Sequence, residues 1–251
     1  MRAAIAIVAG FGLLLLGLVV TAPATLIDGR LEAVTAGRVR LANATGTLWN
    51  GAGTVHVQPS GGRIDVGWHV EAMPLLWGEL RGALLSSDDA SPRATFAVSR
   101  GALDLRDIAA SVPAETLLRA FGAPALVSAG GNVSLRSPAL GKSGDLITGQ
   151  VALRWDDAML AVPGTGLRIA LGEVHYDGRS QEGRLSGTLA NTGGEVEITG
   201  TAGIAADGAA RVNGTVRPRR GIDEPRAAAI AAALGLIGRP SGDGAFVFAL
   251  S

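Results

Sequence analysis

The sequence predicts a mainly β protein: a single N-terminal transmembrane helix followed by a curved antiparallel sheet or incomplete barrel carrying two short helices. Three observations predict it. The first stretch of the chain is apolar and nearly uncharged, most of the remainder alternates apolar and polar residues with period two, and glycine, 37 of 251 residues, punctuates that alternation at short intervals.

After Met1 and Arg2 no charge occurs until Asp28, and residues 3–20 are apolar or glycine throughout. At about 1.5 Å per residue, roughly 20 residues ending near Ala22 span a ~30 Å hydrocarbon core. Ala22-Pro23-Ala24 has the small-x-small form of a signal-peptidase site, so a cleaved signal is the alternative. The apolar run is longer than such a signal needs, which favours an uncleaved anchor over residues 1–24. Arg2 and the free amine, against Asp28, Arg30 and Glu32, orient the amino terminus toward the cytoplasm and leave the rest of the chain outside the inner membrane.

Residues 25–37 form a neck, in which Leu26, Ile27, Leu31 and Val34 continue a helix and Gly37 stops it. The β-rich domain, expected in the periplasm, is residues 38–251. It opens with Val39-Arg40-Leu41 and continues through about eleven short alternating runs, among them residues 63–70, 93–98, 102–106, 132–136, 150–155, 167–174, 184–189, 195–199, 211–217 and 246–250. Alternation of this kind buries one face and wets the other, as in antiparallel sheet. Ser60-Gly61-Gly62, Asp177-Gly178, Thr192-Gly193-Gly194 and Asp207-Gly208 read as hairpin links.

Two helices interrupt the runs. Residues 113–121 carry proline early, Leu117, Leu118 and Phe121 on one face, and Gly122 as a stop; residues 225–237 follow Asp223 and Glu224 and end before Gly238. The second is too short to span a membrane and is expected to cover an open side or edge of the sheet. Residues 68–108 and 155–189 resemble each other loosely, each a tryptophan-bearing strand followed by hairpins.

Composition excludes several kinds of chemistry. Twenty-two basic and 22 acidic residues give zero net charge, so nucleic acid is not an expected partner. Without cysteine there is no disulfide, thiolate metal site or thiol nucleophile. His56, His69 and His175 form no metal-binding spacing, and Gly141-Lys142-Ser143-Gly144 lacks the pattern of a phosphate loop. Asp88-Asp89 lies in a loop, and Asp156-Asp157 reads as a hairpin turn. No catalytic residue, metal or cofactor is expected. Arg217, Arg219 and Arg220 form the one compact basic cluster, a candidate contact for an acidic partner or anionic headgroups.

The densest pattern lies in residues 43–80, where three of the four tryptophans, Trp49, Trp68 and Trp77, sit beside glycine or short polar residues. This reads as a folding nucleus, with Trp49 and Trp68 as core anchors. The phrase Ala44-Thr45-Gly46-Thr47-Leu48-Trp49-Asn50-Gly51-Ala52, then Gly67-Trp68-His69-Val70, then Leu75-Leu76-Trp77-Gly78-Glu79-Leu80, resembles the periplasmic part of the type II secretion system protein N family. Leu103-Asp104-Leu105-Arg106-Asp107-Ile108, Gly194-Glu195-Val196 and Gly214-Thr215-Val216-Arg217-Pro218 extend the resemblance over nearly the whole chain. Gly46, Thr47, Leu48, Trp49, Gly51, Trp68 and Gly78 carry the motif. The resemblance implies an inner-membrane accessory or assembly subunit, without catalytic residues, that contacts other inner-membrane secretion subunits or the secretin. The competing expectation is a periplasmic lipid-binding or lipid-transport protein similar to the AsmA type, whose apolar sheet face holds acyl chains.

Overall fold

The strands β1 (Val39–Gly46), β2 (Asn50–Val57), β3 (Gly62–Glu71), β4 (Leu80–Leu85) and β5 (Arg93–Ser99) open the sheet. β6 (Ala102–Pro113), β7 (Ser128–Ser143), β8 (Leu146–Val162) and β9 (Leu167–Gln181) are its long central members. β10 (Arg184–Thr192), β11 (Val196–Ile204), β12 (Ala210–Pro218), β13 (Arg239–Ser241) and β14 (Ala245–Leu250) complete it. The computed structural model describes residues 22–34, 37, 39–57, 62–85, 93–120, 128–162, 166–205, 210–235, 238–242 and 244–250. Among the described residues these 14 strands make one antiparallel sheet, in chain order from β1 to β12 and then β14 and β13. The first and last strands do not pair, so the expected curved sheet or incomplete barrel is an open sheet, with more strands than the eleven runs suggested.

Among the described residues three α-helices accompany it: α1 (Thr25–Val34), α2 (Ala114–Ala120) and α3 (Glu224–Leu234). α2 and α3 are the two helices expected; α1 lies in the segment expected to form the neck and is followed by Gly37 at a φ of 77°, but residues 22–24 before it are not helical, Pro23 bridging Thr47. Among the described residues no helix is long and apolar enough to cross a membrane. The expected anchor falls almost wholly on residues 1–21, outside the described set. The turns at residues 60–61 and 207–208, the loop with Asp88 and Asp89, and the positions of Phe121 and Gly122 lie outside it as well.

The register puts one apolar face across the entire sheet. Opposed pairs on it run Leu41 with Val55, Trp68 with Leu84, Phe96 with Leu105, Val133 with Trp155, Leu153 with Tyr176, Ile198 with Val216 and Val216 with Phe246. The opposite face carries His69, Arg81, Asp104, Arg106, Arg154, His175, Asp177, Glu197 and Arg217.

Keeping that face apolar along the longest strands needs bulges, because a one-residue slip sends every later side chain to the wrong side. In β8 Trp155 opposes Val174 and Ala158 opposes Gly172, three residues on rather than two. Asp157 takes up the extra residue at a φ of 50°. Asp107 in β6, at 52°, does the same against β5, where Arg106 opposes Thr95 and Ala109 opposes Arg93, and Asn43 in β1, at 53°, sits at the register shift between Ala42 and Thr45. Short amide and carboxylate side chains tolerate this left-handed backbone better than other non-glycine residues. Asp156-Asp157 is therefore a bulge inside a strand and not a hairpin turn. Asp177-Gly178 likewise lies within β9 and makes no turn.

The helices bury the apolar face at one end. Ile230 and Leu234 of α3 pack against Ala158, Ile169, Leu171, Val174, Val196 and Val216. Ala114, Leu117 and Leu118 of α2 pack on Ala129, Val133, Leu153, Trp155 and Leu160. A third cluster gathers Ala24, Leu41 and Trp68. α3 thus covers the face of the sheet and not an edge, because its apolar stripe meets side chains projecting from β8, β9, β11 and β12.

Candidate functional site

The motif predicted from sequence is a tight turn between β1 and β2, stacked on β3. Thr47 and Asn50 close it: the Thr47 N–H donates to the Asn50 carbonyl at 2.9 Å, and the Asn50 N–H donates to Thr47 Oγ1 at 3.1 Å. Trp68, 6% exposed, lies beneath and donates its Nε1 to the carbonyls of Thr47 at 3.3 Å and Leu48 at 3.2 Å. Gly51 faces the indole, and a Cβ there would lie 2.5 Å from Trp68 Cζ2 and 2.6 Å from the Thr45 carbonyl. Gly46 has a φ of 84° and no room beside Asn50. Trp68 is the core anchor predicted. Trp49 is only partly buried, and its carbonyl accepts from the Val70 N–H at 2.7 Å. Trp77 departs from the nucleus altogether at 75% exposure, and Gly78 ends its short turn in the left-handed conformation.

The start of the described chain is stitched to this turn. The Leu48 N–H donates to the Ala22 carbonyl at 2.8 Å, and the Ala24 N–H donates to that of Gly46 at 3.3 Å. Asp28 Oδ1 accepts from the Leu41 N–H at 2.8 Å, so α1 caps part of the outer edge of β1. At the far side β13 is three exposed residues long and contains Pro240, and it pairs only with residues 245–247 of β14. Short length, proline and capping by a helix are standard ways of blunting an edge. Among the described residues the outer side of residues 248–250 has no strand against it.

The basic cluster is partly committed to internal contacts. Arg217 donates from Nε at 2.9 Å and Nη2 at 2.7 Å to Glu197 Oε2. Arg219 donates from Nη2 to the Gly193 carbonyl at 2.8 Å, while its buried Nε has no partner among the described residues. Arg220 is exposed and makes no bond to a described residue, so it is the member free to meet another molecule.

Beside the cluster lies a polar lock that the sequence did not reveal. Arg226 of α3 donates from Nε to Glu195 Oε1 at 2.6 Å and from Nη2 to Oε2 at 2.9 Å, and it also reaches the Arg168 carbonyl. Glu195 Oε2 accepts from the Ala170 N–H at 2.9 Å. The Arg226 guanidinium, with that N–H, holds the Glu195 carboxyl below its ordinary range, against an opposing push from partial burial. Asn191 completes the lock, donating from Nδ2 to the carbonyls of Leu171 at 2.5 Å and Val196 at 2.9 Å and accepting from the Ile198 N–H at 2.8 Å. Only the Gly194-Glu195-Val196 phrase signalled this corner in the sequence, because Arg226 is 31 residues away.

The depressions on the polar face are open and mixed in charge, one of them lined by His69, Glu71, Arg81, Asp104 and Arg106. Among the described residues no three metal-capable side chains converge. The apolar face differs in character: beyond the helices, toward the β5–β6 and β11–β12 hairpins, Val98, Leu103 and Ile204 remain exposed.

Residues 37–249 match the family described as type II secretion system (T2SS), protein N. The chain belongs to that family. No curated protein and no solved structure matches it. As a protein N, the chain is a component of the type II secretion system, and the family is an accessory component not known as an enzyme. The matched range spans the motif turn, the polar lock and the sheet from before β1 to the penultimate residue of β14.

Proposed function

We propose that this chain is an inner-membrane accessory or assembly subunit, anchored within residues 1–24, whose β domain lies in the periplasm and contacts other secretion subunits while folded proteins cross the outer membrane. The observation that carries this reading is the family match over residues 37–249 directly behind an uncharged apolar run of membrane-spanning length. The stitching of Ala22 and Ala24 onto the motif turn supports it, because a tether rigidly joined to its domain fixes how that domain is presented. Two features suit a protein partner: the open side of residues 248–250, which accepts an added strand, and, toward the opposite end of β14, the exposed Arg220, which makes no bond to a described residue. The partner classes are the other inner-membrane subunits and the secretin.

One observation favours a second reading, a lipid-binding face. The sheet carries a continuous apolar surface that the helices cover at one end only, leaving Val98, Leu103 and Ile204 exposed at the other. Photoreactive residues at positions 103, 220 and 249 in intact cells separate the two. Adducts from 220 and 249 to secretion subunits support the accessory-subunit reading. Lipid adducts from 103, without protein adducts elsewhere, replace it with lipid transport.

A further inference from the structure

The 3-10 turn Met73–Trp77, which joins β3 to β4, buries none of its five residues. Leu76 is 74% exposed, Trp77 75% and Met73 66%. It is not a loose loop. Proline stands at its start, the Gly78 and Glu79 N–H groups bond back to the carbonyls of Leu75 at 3.0 Å and Pro74 at 3.1 Å, and Gly78 closes it at a φ of 75°. At its base Arg81 pairs with Glu79 at 2.8 Å and stands opposite Glu71 on β3, so the charged groups lie behind the apolar tip. A rigid turn presenting Met, Leu, Leu and Trp to solvent has no use within the domain.

Its position says what covers it. Ala22, the first described residue after the apolar run, is bonded to Leu48 in the motif turn, and Trp49 in the same turn accepts from Val70, three residues before Met73. The exit of the tether and the apolar turn therefore sit together at one end of the sheet. Opposed pairs carry that end onward from Leu80 through Val98 to Leu103.

We infer that residues 73–77 are a membrane wedge, with Leu75, Leu76 and Trp77 inserted into the leaflet from which the N-terminal run emerges. The inference rests on the anchored reading proposed above and deepens it by fixing which end of the domain meets the bilayer. Tryptophan is enriched at the headgroup boundary, where its ring is buried and its N–H stays hydrated, and leucine suits the acyl region beneath. A turn whose backbone bonds are closed on itself offers nothing for strand addition, whereas shallow insertion needs only an apolar tip with its charged groups set back from it.

The chain has no cysteine, so Leu76→Cys takes a single environment-sensitive fluorophore, with Ala228→Cys on the exposed side of α3 as control. The full-length protein is reconstituted into vesicles of phosphatidylethanolamine and phosphatidylglycerol and floated on a gradient. Insertion to headgroup depth gives a blue-shifted label at position 76 that spin-labelled lipid quenches at least about twofold more than the control, and that aqueous iodide reaches poorly. Flotation with position 76 as open to iodide as the control overturns the wedge and leaves the anchor standing. Flotation with position 76 shielded from both quenchers overturns it in favour of contact between copies. Protein that stays at the bottom of the gradient overturns the anchor and the wedge together.

Discussion

Arg226 grips Glu195 with two parallel hydrogen bonds, at 2.6 and 2.9 Å, and so fastens a helix near the end of the chain to the corner where β9, β10 and β11 meet. Glu195 is 26% exposed and Arg226 33%, so solvent screens the pair only in part. Arg226→Ala is expected to cost about 1–2 kcal/mol and to loosen α3 before the rest of the sheet. Urea unfolding checks the first, and faster amide exchange in residues 226–234 checks the second.

The same pair predicts a pH dependence. Glu195 has a folded pKa depressed by its Arg226 bonds, so its contribution is complete above the ordinary carboxylate pKa of about 4.3 and is lost as pH falls through the lower folded value. Glu195→Gln should therefore be less stable than the parent at neutral pH, with the difference shrinking in acid. An undiminished gap on titration from pH ~7 to ~3 would assign the loss to packing instead.

Trp68 does two separable jobs, filling space and capping the motif turn. Trp68→Ala is expected to cost about 3–5 kcal/mol. Trp68→Phe keeps most of the ring but leaves the Thr47 and Leu48 carbonyls without their donor, for about 1–2 kcal/mol. Thermal melts of both variants should rank them in that order, and a harmless Phe would remove the role given to Nε1.

Gly51→Ala tests the motif from the other side. Its Cβ would fall 2.5 Å from the Trp68 ring and 2.6 Å from the Thr45 carbonyl, and neither can retreat without opening the β1–β2 pair. A loss of about 1–3 kcal/mol is expected. Pairing it with Trp68→Ala should recover part of that loss, which a double-mutant cycle measures.

Asp157 is a spacer more than a charge. Asp157→Gly should be nearly neutral or slightly stabilising, because glycine accepts the positive φ without strain. Asp157→Val should cost about 1–2 kcal/mol, and deletion should be far worse because it turns Ala158 and Leu160 to the polar face. Circular dichroism and proteolysis of the three variants check the series.

These cases show what the sequence could reveal. Alternation at Val151, Leu153 and Trp155 announces a strand and its buried face, and Gly46, Gly51 and Trp68 lie close enough in sequence to be read as one unit. Asp156-Asp157 was misread because a carboxylate pair after a strand looks like a turn, and only the pairing of both flanks with β9 marks a bulge. Glu195 and Arg226 stayed hidden because nothing local links a loop glutamate to a helix arginine. Trp77 was drawn into the nucleus by its composition, although a proline before it and a glycine after it already described a turn.

The strand order has a kinetic consequence. From β1 to β12 every strand pairs with its neighbour in sequence, so each step of folding closes only a short loop and growth can proceed hairpin by hairpin as the chain becomes available. The last three elements break that rule, since β14 must slot between β12 and β13 after α3 has been laid down. Assembly of this sheet is thus a zipper with a clasp: most of it forms by local closure, and the final step fixes α3 over the apolar face.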